Sequence, residues 1–323
     1  VKLLITPLSE KQIRINDENV LVERLIPGIE SDRKQQEITP LPNAEAYKLQ
    51  LSDFGSFEQM TLIGDEISLP AKDEICVEIQ ASALNFKDVL FTLGALNEYL
   101  EQQGITDAKD LPLGYEGAGT VKHVGSNVTH VQIGDNVIVS ATGCLASHIT
   151  VPSATVSKMP ETLSFVEAAA LPTVYMTAIY ALLELAKLKS GDKVLIHAAA
   201  GGVGQAAIQI AKAQGAEIFA TASPRKWDFL RSQGITNIYN SRDTDFSQAI
   251  LDDTNGNGVD VILNSLNGDF IPAALNALTD NGRFVEIGKI GVWSDEQVSE
   301  LRPIAKYWCF DLADSAIQNP ELY

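Results

Sequence analysis

Residues Lys193–Gln205 read Lys-Val-Leu-Ile-His-Ala-Ala-Ala-Gly-Gly-Val-Gly-Gln, and this stretch decides the fold. Val194–Ile196 is an apolar run with the pattern of a buried parallel strand. The run breaks at Ala199-Ala200-Gly201-Gly202-Val203-Gly204, and a helix-period segment follows over Gln205–Gln214. Strand, glycine turn and helix start together make a cradle for a dinucleotide. Gly201, Gly202 and Gly204 let the backbone approach a pyrophosphate, and the free N–H groups and dipole of the helix favour its charge. Ala199 stands in the place of the first glycine of G-x-G-x-x-G, so a plain strand-to-helix turn is the competing reading.

The next strand points to one cofactor. Ala216–Ala222 is expected to be the second parallel strand, ending about 20 residues past the glycines, where an Asp or Glu commonly holds the ribose hydroxyls of NAD. Here Ser223-Pro224-Arg225-Lys226 follows, with no carboxylate before Asp228. A hydroxyl, a guanidinium and an ammonium suit a 2′-phosphate, which a carboxylate would repel. The reading is NADPH, against the alternative of a solvated basic helix start.

Composition narrows the partners. The 323 residues are 45% hydrophobic, enough for a full core in two lobes. Lys and Arg total 24 against 42 Asp and Glu, and the net charge of −18 argues against nucleic acid or an anionic membrane. No apolar run reaches spanning length, and the Val-Lys-Leu-Leu-Ile start is too short for a signal peptide. Cys76, Cys144 and Cys309 are few and widely spaced, as expected of reduced thiols in the cytoplasm.

Three regions follow along the chain. Residues 1–45 hold strand-like pieces (Lys2–Pro7, Asn19–Ile26) and a charged, linker-like stretch, Glu30–Pro42. Residues 46–163 carry short alternating strands at Ile75–Ile79, Gly119–Val124 and Asn136–Val139, as in a partly barrel-like lobe. Over 164–310, after a capping box at Ser164–Glu167 and an Ala-rich helix, strands at Val194–His197, Glu217–Ala222, Val259–Asn264 and Arg283–Gly288 alternate with helices. The expected class is α/β, a Rossmann-type doubly wound parallel sheet plus a GroES-like, partly β-barrel lobe.

Five ordered blocks carry a resemblance. They are Ala83-Leu-Asn-Phe-Lys-Asp-Val-Leu90, Leu113-Gly-Tyr-Glu-Gly-Ala-Gly119, Leu171-Pro-Thr-Val-Tyr-Met-Thr-Ala178, Val261-Ile-Leu-Asn-Ser-Leu266 and Phe284-Val-Glu-Ile-Gly-Lys289. With them the chain resembles the medium-chain dehydrogenase/reductase superfamily, and within it the enoyl reductase domains of modular polyketide synthases and animal fatty acid synthase. Ser9–Arg14 is similar to a segment preceding these domains in megasynthases. The resemblance implies a nicotinamide site built from Asn85, Thr177, Gly201, Gly202, Val203, Gly204, Ser223, Arg225, Lys226, Arg242, Asn264, Leu266 and Gly288. It also implies an acyl carrier protein and neighbouring megasynthase domains as partners. Residues 311–323 are expected to begin the return to the substrate lobe, with the family's C-terminal part absent.

The implied chemistry uses no metal. Related alcohol dehydrogenases bind zinc through Cys and His, whereas Tyr115 stands where such a His falls, and the four histidines (His123, His130, His148, His197) read as strand-edge or surface residues. Reduction of a C=C conjugated to a thioester needs hydride at the β-carbon, an oxyanion stabiliser and a proton at the α-carbon. The resemblance gives Lys289 and Asp311 these duties, Lys289 as stabiliser or donor and Asp311 as its orienter. The alternatives are a surface lysine and a helix-entry acid. Many family members carry a proton-donating Tyr where this chain has Leu96. Tyr99 lies nearby, in an insertion (Asn97–Lys109) of unreadable geometry. Without that phenol, an enolate bearing a γ-leaving group has the option of closing to a cyclopropane. The remaining alternatives are a free-standing quinone or enone reductase and a non-catalytic NADPH-binding scaffold.

Overall fold

The structure is a computed structural model that describes residues 13–16, 19–22 and 41–312. The expectations for Lys2–Pro7, most of Glu30–Pro42 and residues 313–323 fall outside them. The chain divides into two compact units, Val1–Leu41 and Pro42–Tyr323. In the first, β1 (Ile13–Asn16) and β2 (Asn19–Val22) pair as an antiparallel hairpin.

The second unit starts with an antiparallel pair, β3 (Ala46–Leu51) and β4 (Met60–Asp65). β5 (Glu74–Ser82) is followed by two short helices, α1 (Phe86–Thr92) and α2 (Asn97–Gln102). β6 (Gly117–Val124), β7 (Asn136–Val139), β8 (His148–Pro152) and β9 (Val156–Lys158) complete a five-stranded antiparallel sheet of order β8-β5-β6-β7-β9. Its alternating valines and isoleucines (Ile75, Val77, Val121, Val137, Val139, Val151) meet in one apolar cluster, the outcome that period-2 patterning dictates. β6 crosses β5 closely at Gly119, where a Cβ would stand 2.1 Å from the Glu78 carbonyl oxygen. Only glycine fits there.

The Ser164–Glu167 capping box forms, but the helix it starts, α3 (Phe165–Ala169), is brief. α4 (Pro172–Ile179) takes over with proline in its first turn and runs into a π-helical stretch, Tyr180–Leu185. β10 (Lys193–Ile196), α5 (Gly202–Gln214), β11 (Glu217–Ala222), α6 (Trp227–Ser232), β12 (Asn237–Asn240) and α7 (Phe246–Asp253) follow in order. β13 (Val259–Asn264), α8 (Phe270–Asn276), β14 (Leu278–Glu286), α9 (Asp295–Leu301) and β15 (Lys306–Cys309) close the series. The six strands form a wholly parallel sheet of order β12-β11-β10-β13-β14-β15. Apolar clusters cover both faces, as a parallel sheet requires. The strand order reverses between β10 and β13, and open α/β sheets bind ligands at the carboxyl ends of the strands flanking such a switch. The expected α/β class is thus the observed one. Among the described residues no helix is long and apolar enough to cross a membrane.

Several local expectations are corrected. The helix after the glycine turn starts at Gly202, not Gln205, because the glycines form its first turn rather than a loop before it. β14 ends at Glu286, so Gly288 and Lys289 lie in the loop beyond it. His197 is not at the surface: it leaves β10 into the sheet's interior and is 3% exposed, packed edge-on against Phe246. The stretch 97–109 contains α2 and a short 3-10 turn, Ala108–Asp110. β12 and β15, at the two edges of the sheet, lack the long apolar runs that reveal the central strands.

Candidate active site

A cavity of about 920 Å³ opens beside the carboxyl ends of β10, β13 and β14. Gly201, Gly202, Val203 and Gly204 line it from α5, Thr177 from α4, Leu266 and Gly288 from the loops after β13 and β14, and Asn85 from the start of α1. The lining fits a dinucleotide. The first N–H groups of a 13-residue helix have no intrahelical partner, and the first turn of α5 holds no acidic side chain. Its glycines are required by packing. A Cβ on Gly202 would lie 2.9 Å from Val174 Cγ1, and one on Gly204 would lie 2.6 Å from the Ala198 oxygen and the Ala199 Cα. Glycine therefore lets α5 sit against the end of β10 with its first turn lining the cavity. Ala198, at the end of β10, carries the turn with a left-handed φ of 49°.

Ser223, Arg225, Lys226 and Arg242 do not line this cavity. Ser223–Lys226 follows the carboxyl end of β11 in a 3-10 turn, while Arg242 follows β12, whose Asn240 pairs with Ala222. Both segments thus leave the sheet from adjacent strand ends, with the three basic side chains exposed. The Trp227 indole N–H donates to the Ala222 carbonyl at 2.9 Å and pins the turn. Asn264 also stands behind the lining. It is fully buried, donates to the Leu266 carbonyl at 2.8 Å, and donates to Glu286.

At the other end of the cavity the two sheets meet through charge. Lys289 Nζ donates to the Phe310 carbonyl at 2.7 Å and lies 3.2 Å from Asp311 Oδ2. Lys87 Nζ, from α1, donates to the same Oδ2 at 2.8 Å. All three side chains line the cavity, and Asp311 is the most enclosed, 8% exposed. Lys87 stands inside the Ala83–Leu90 block, where the sequence assigns it no role. Its position one residue inside a helix start, beside Asn85, was the available signal.

Buried polar groups support this geometry. Glu286 Oε1 accepts the Gly288 N–H at 2.6 Å, holding the loop that carries Lys289. Burial pushes the Glu286 carboxyl up to about 7, although Asn264, Gly288 and Lys289 act in the opposite direction. Burial holds the His197 imidazole down to about 3, so it is neutral, with Nδ1 2.9 Å from Thr221 Oγ1. The Tyr115 hydroxyl, which lines the cavity, is held well above the ordinary phenol range by burial, then by Asp88 and Asp311.

Leu96 is 9% exposed and packs among Leu51, Phe91, Leu100 and Leu113 rather than in the cavity. Tyr99 stacks on Phe91 with ring centroids 6.0 Å apart. Among the described residues no three of His, Cys, Asp and Glu converge as a metal set, and the three cysteines are free.

Residues 71–161 match the alcohol dehydrogenase GroES-like domain, and residues 202–311 match the zinc-binding dehydrogenase family. A mycocerosic acid synthase-like polyketide synthase of Mycobacterium tuberculosis is 39% identical over 293 residues, 89% of this chain but 14% of that protein. The chain thus spans about one-seventh of the length of such relatives. The crystal structure of CurK enoyl reductase is 49% identical, with a TM-score of 0.84 over 86% of this chain and 84% of that one. The CurF ER cyclopropanase from the curacin A biosynthetic pathway is 41% identical, with a TM-score of 0.81 over the same shares. The quinone oxidoreductase of Escherichia coli, solved with NADPH, is 27% identical, with a TM-score of 0.76 over 85% of this chain and 84% of that one. The chain belongs to the polyketide synthase enoyl reductases of the medium-chain dehydrogenase/reductase superfamily, a family of nicotinamide-dependent oxidoreductases.

Proposed function

We propose that this chain reduces an α,β-enoyl thioester, carried on an acyl carrier protein, within a cytoplasmic polyketide synthase, using NADPH. One observation carries the reading: two ammonium groups and one carboxylate converge in the cavity that also holds the glycine-walled start of α5. The trio bears net positive charge where a thioester enolate would develop negative charge. Residues 164–310 act as the cofactor lobe, with Gly201–Gly204 on the pyrophosphate, Ser223, Arg225, Lys226 and Arg242 on the 2′-phosphate, and Asn85, Thr177, Leu266 and Gly288 around the nicotinamide ribose and ring, while Asn264 holds the Leu266 carbonyl from behind. Residues 46–163 act as the substrate lobe.

When bound, the reduced nicotinamide supplies the hydride that the β-carbon accepts. Lys289 stabilises the enolate oxygen through its ammonium, a donor held in place by the Phe310 carbonyl and Asp311. Asp311 orients that ammonium. The α-carbon then takes a proton from Lys289 or from water, completing addition of two hydrogens across the double bond. The chain's charge of −18 gives an acidic carrier protein little long-range attraction, so covalent tethering within the megasynthase brings the substrate in.

The test compares NADPH and NADH with three substrates: a carrier-tethered crotonyl thioester, a simple quinone, and a γ-chlorinated enoyl thioester. The proposal expects fastest turnover with NADPH and the tethered thioester. Faster quinone turnover would mark a quinone reductase, and NADPH binding without turnover a scaffold. The γ-chlorinated substrate addresses the second reading, which rests on Leu96 standing in place of a proton-donating Tyr. A saturated product keeping its chlorine marks simple reduction. A cyclopropane with chloride released marks internal alkylation by the α-carbon.

A further inference from the structure

Lys87 and Lys289 approach one oxygen, Asp311 Oδ2, from opposite lobes at 2.8 and 3.2 Å. A single carboxylate charge is therefore divided between two cations. Distance alone separates them little, since Coulomb energy scales as 1/r and the two differ by about 15%. Their surroundings separate them clearly. The Lys87 ammonium stands over three aromatic rings, 4.8 Å from the centroid of Tyr99 and 5.5 Å from those of Phe91 and Tyr115. Such a box attracts a cation and fixes its place. Lys289 has instead the neutral Phe310 carbonyl as its other partner. Glu286, whose carboxylate receives the Gly288 N–H, is the further acid on the Lys289 side, and Asp88 the further acid beside Lys87.

We propose that Lys87 is a positioning residue that carries the charge of Asp311 from the opposite lobe, so that the Lys289 ammonium is left available to the substrate oxygen. Without Lys87, the Lys289–Asp311 pair is neutral as a unit and offers a developing oxyanion no net charge. With Lys87, the trio carries one net positive charge. The inference rests on the enoyl reductase reading and assigns that site a third charged member.

The arrangement makes a specific prediction about rescue. Lys87→Met should lower kcat about 10- to 100-fold, with KM for NADPH changed less than twofold. Lys87→Arg, which keeps the cation, should retain at least about a third of wild-type kcat. Adding Asp311→Asn to Lys87→Met should raise kcat again, because Lys289 is then no longer neutralised. In the ligand-free protein, the urea midpoints of Lys87→Met, Asp311→Asn and the double variant should be non-additive, as for residues in contact. Wild-type kcat in Lys87→Met, or a double variant whose losses simply multiply with additive urea midpoints, would overturn the role. A folded but inactive Lys87→Arg would do the same, which keeps the test decisive even if Lys87→Met fails to fold. A wild-type protein that reduces no enoyl thioester would instead overturn the proposed function, and the unfolding cycle would still report on the Lys87–Asp311 link.

Discussion

Asn85 donates its side-chain N–H to Glu116 Oε1 at 2.8 Å, and Glu116 Oε2 accepts the Thr173 backbone N–H at 2.7 Å. One buried carboxylate thus ties the start of α1, which carries Lys87, to the first turn of α4, on the other side of the cavity. Both of its partners are donors. In Glu116→Gln the side-chain amide must turn its own N–H toward one of them, and that partner is left unpaired. The expected cost is about 1–3 kcal/mol of stability, read as a lower urea midpoint, together with a roughly tenfold fall in kcat as Asn85 loosens. Unchanged values for both would show that the carboxylate does not join the two helices.

The cofactor assignment is tested at the turn after β11. Lys226→Ala should raise KM for NADPH and narrow the preference over NADH, since one charge-assisted contact to a phosphate is worth roughly 1.5–3 kcal/mol. Arg225→Ala should act in the same direction. The measurement is the NADPH/NADH ratio of kcat/KM, and an unchanged ratio in both variants would remove the 2′-phosphate from this turn.

Lys289→Ala distinguishes two duties. If the ammonium mainly stabilises the enolate, kcat should fall on the order of 10²–10³-fold, as for a lost oxyanion donor. If it mainly gives the proton, water substitutes, the fall is milder, and the α-carbon configuration of a methyl-branched product scrambles. Wild-type rate and configuration would take Lys289 out of the mechanism.

Glu286 ties stability to pH. Burial raises its carboxyl from the ordinary 4.5 to about 7, so between those values the folded protein holds a proton that the unfolded chain releases. Its contribution to stability is complete below about pH 4.5 and is lost as pH rises toward 7. The unfolding free energy of the wild type should therefore fall across this window relative to Glu286→Gln. Parallel curves for the two proteins would contradict the burial argument.

The central strands and the glycine turn were legible in the sequence because buried parallel strands and a strand–glycine–helix unit leave local marks. The charge constellation was only half legible. Lys289 and Asp311 stand near the ends of a strong strand and a weak one, but Lys87 joins them across 224 residues of sequence, a contact no local pattern records. His197 was misread because a histidine after a strand looks like an edge residue. Its burial follows from Thr221 and Phe246 on neighbouring elements. Leu96 was recognised as unable to donate a proton, while its place in the small lobe's core depends on packing between α1, α2 and β3.

The central claim concerns where the hydride goes. The direct measurement reduces a carrier-tethered 2-methylcrotonyl thioester with NADPH deuterated at the transferable C4 position, in ordinary water, and locates the label by mass spectrometry and NMR. The account predicts one deuterium at the β-carbon and solvent hydrogen at the α-carbon. Label at the α-carbon, reduction at the thioester carbonyl, or NADPH consumed without saturated product would contradict it.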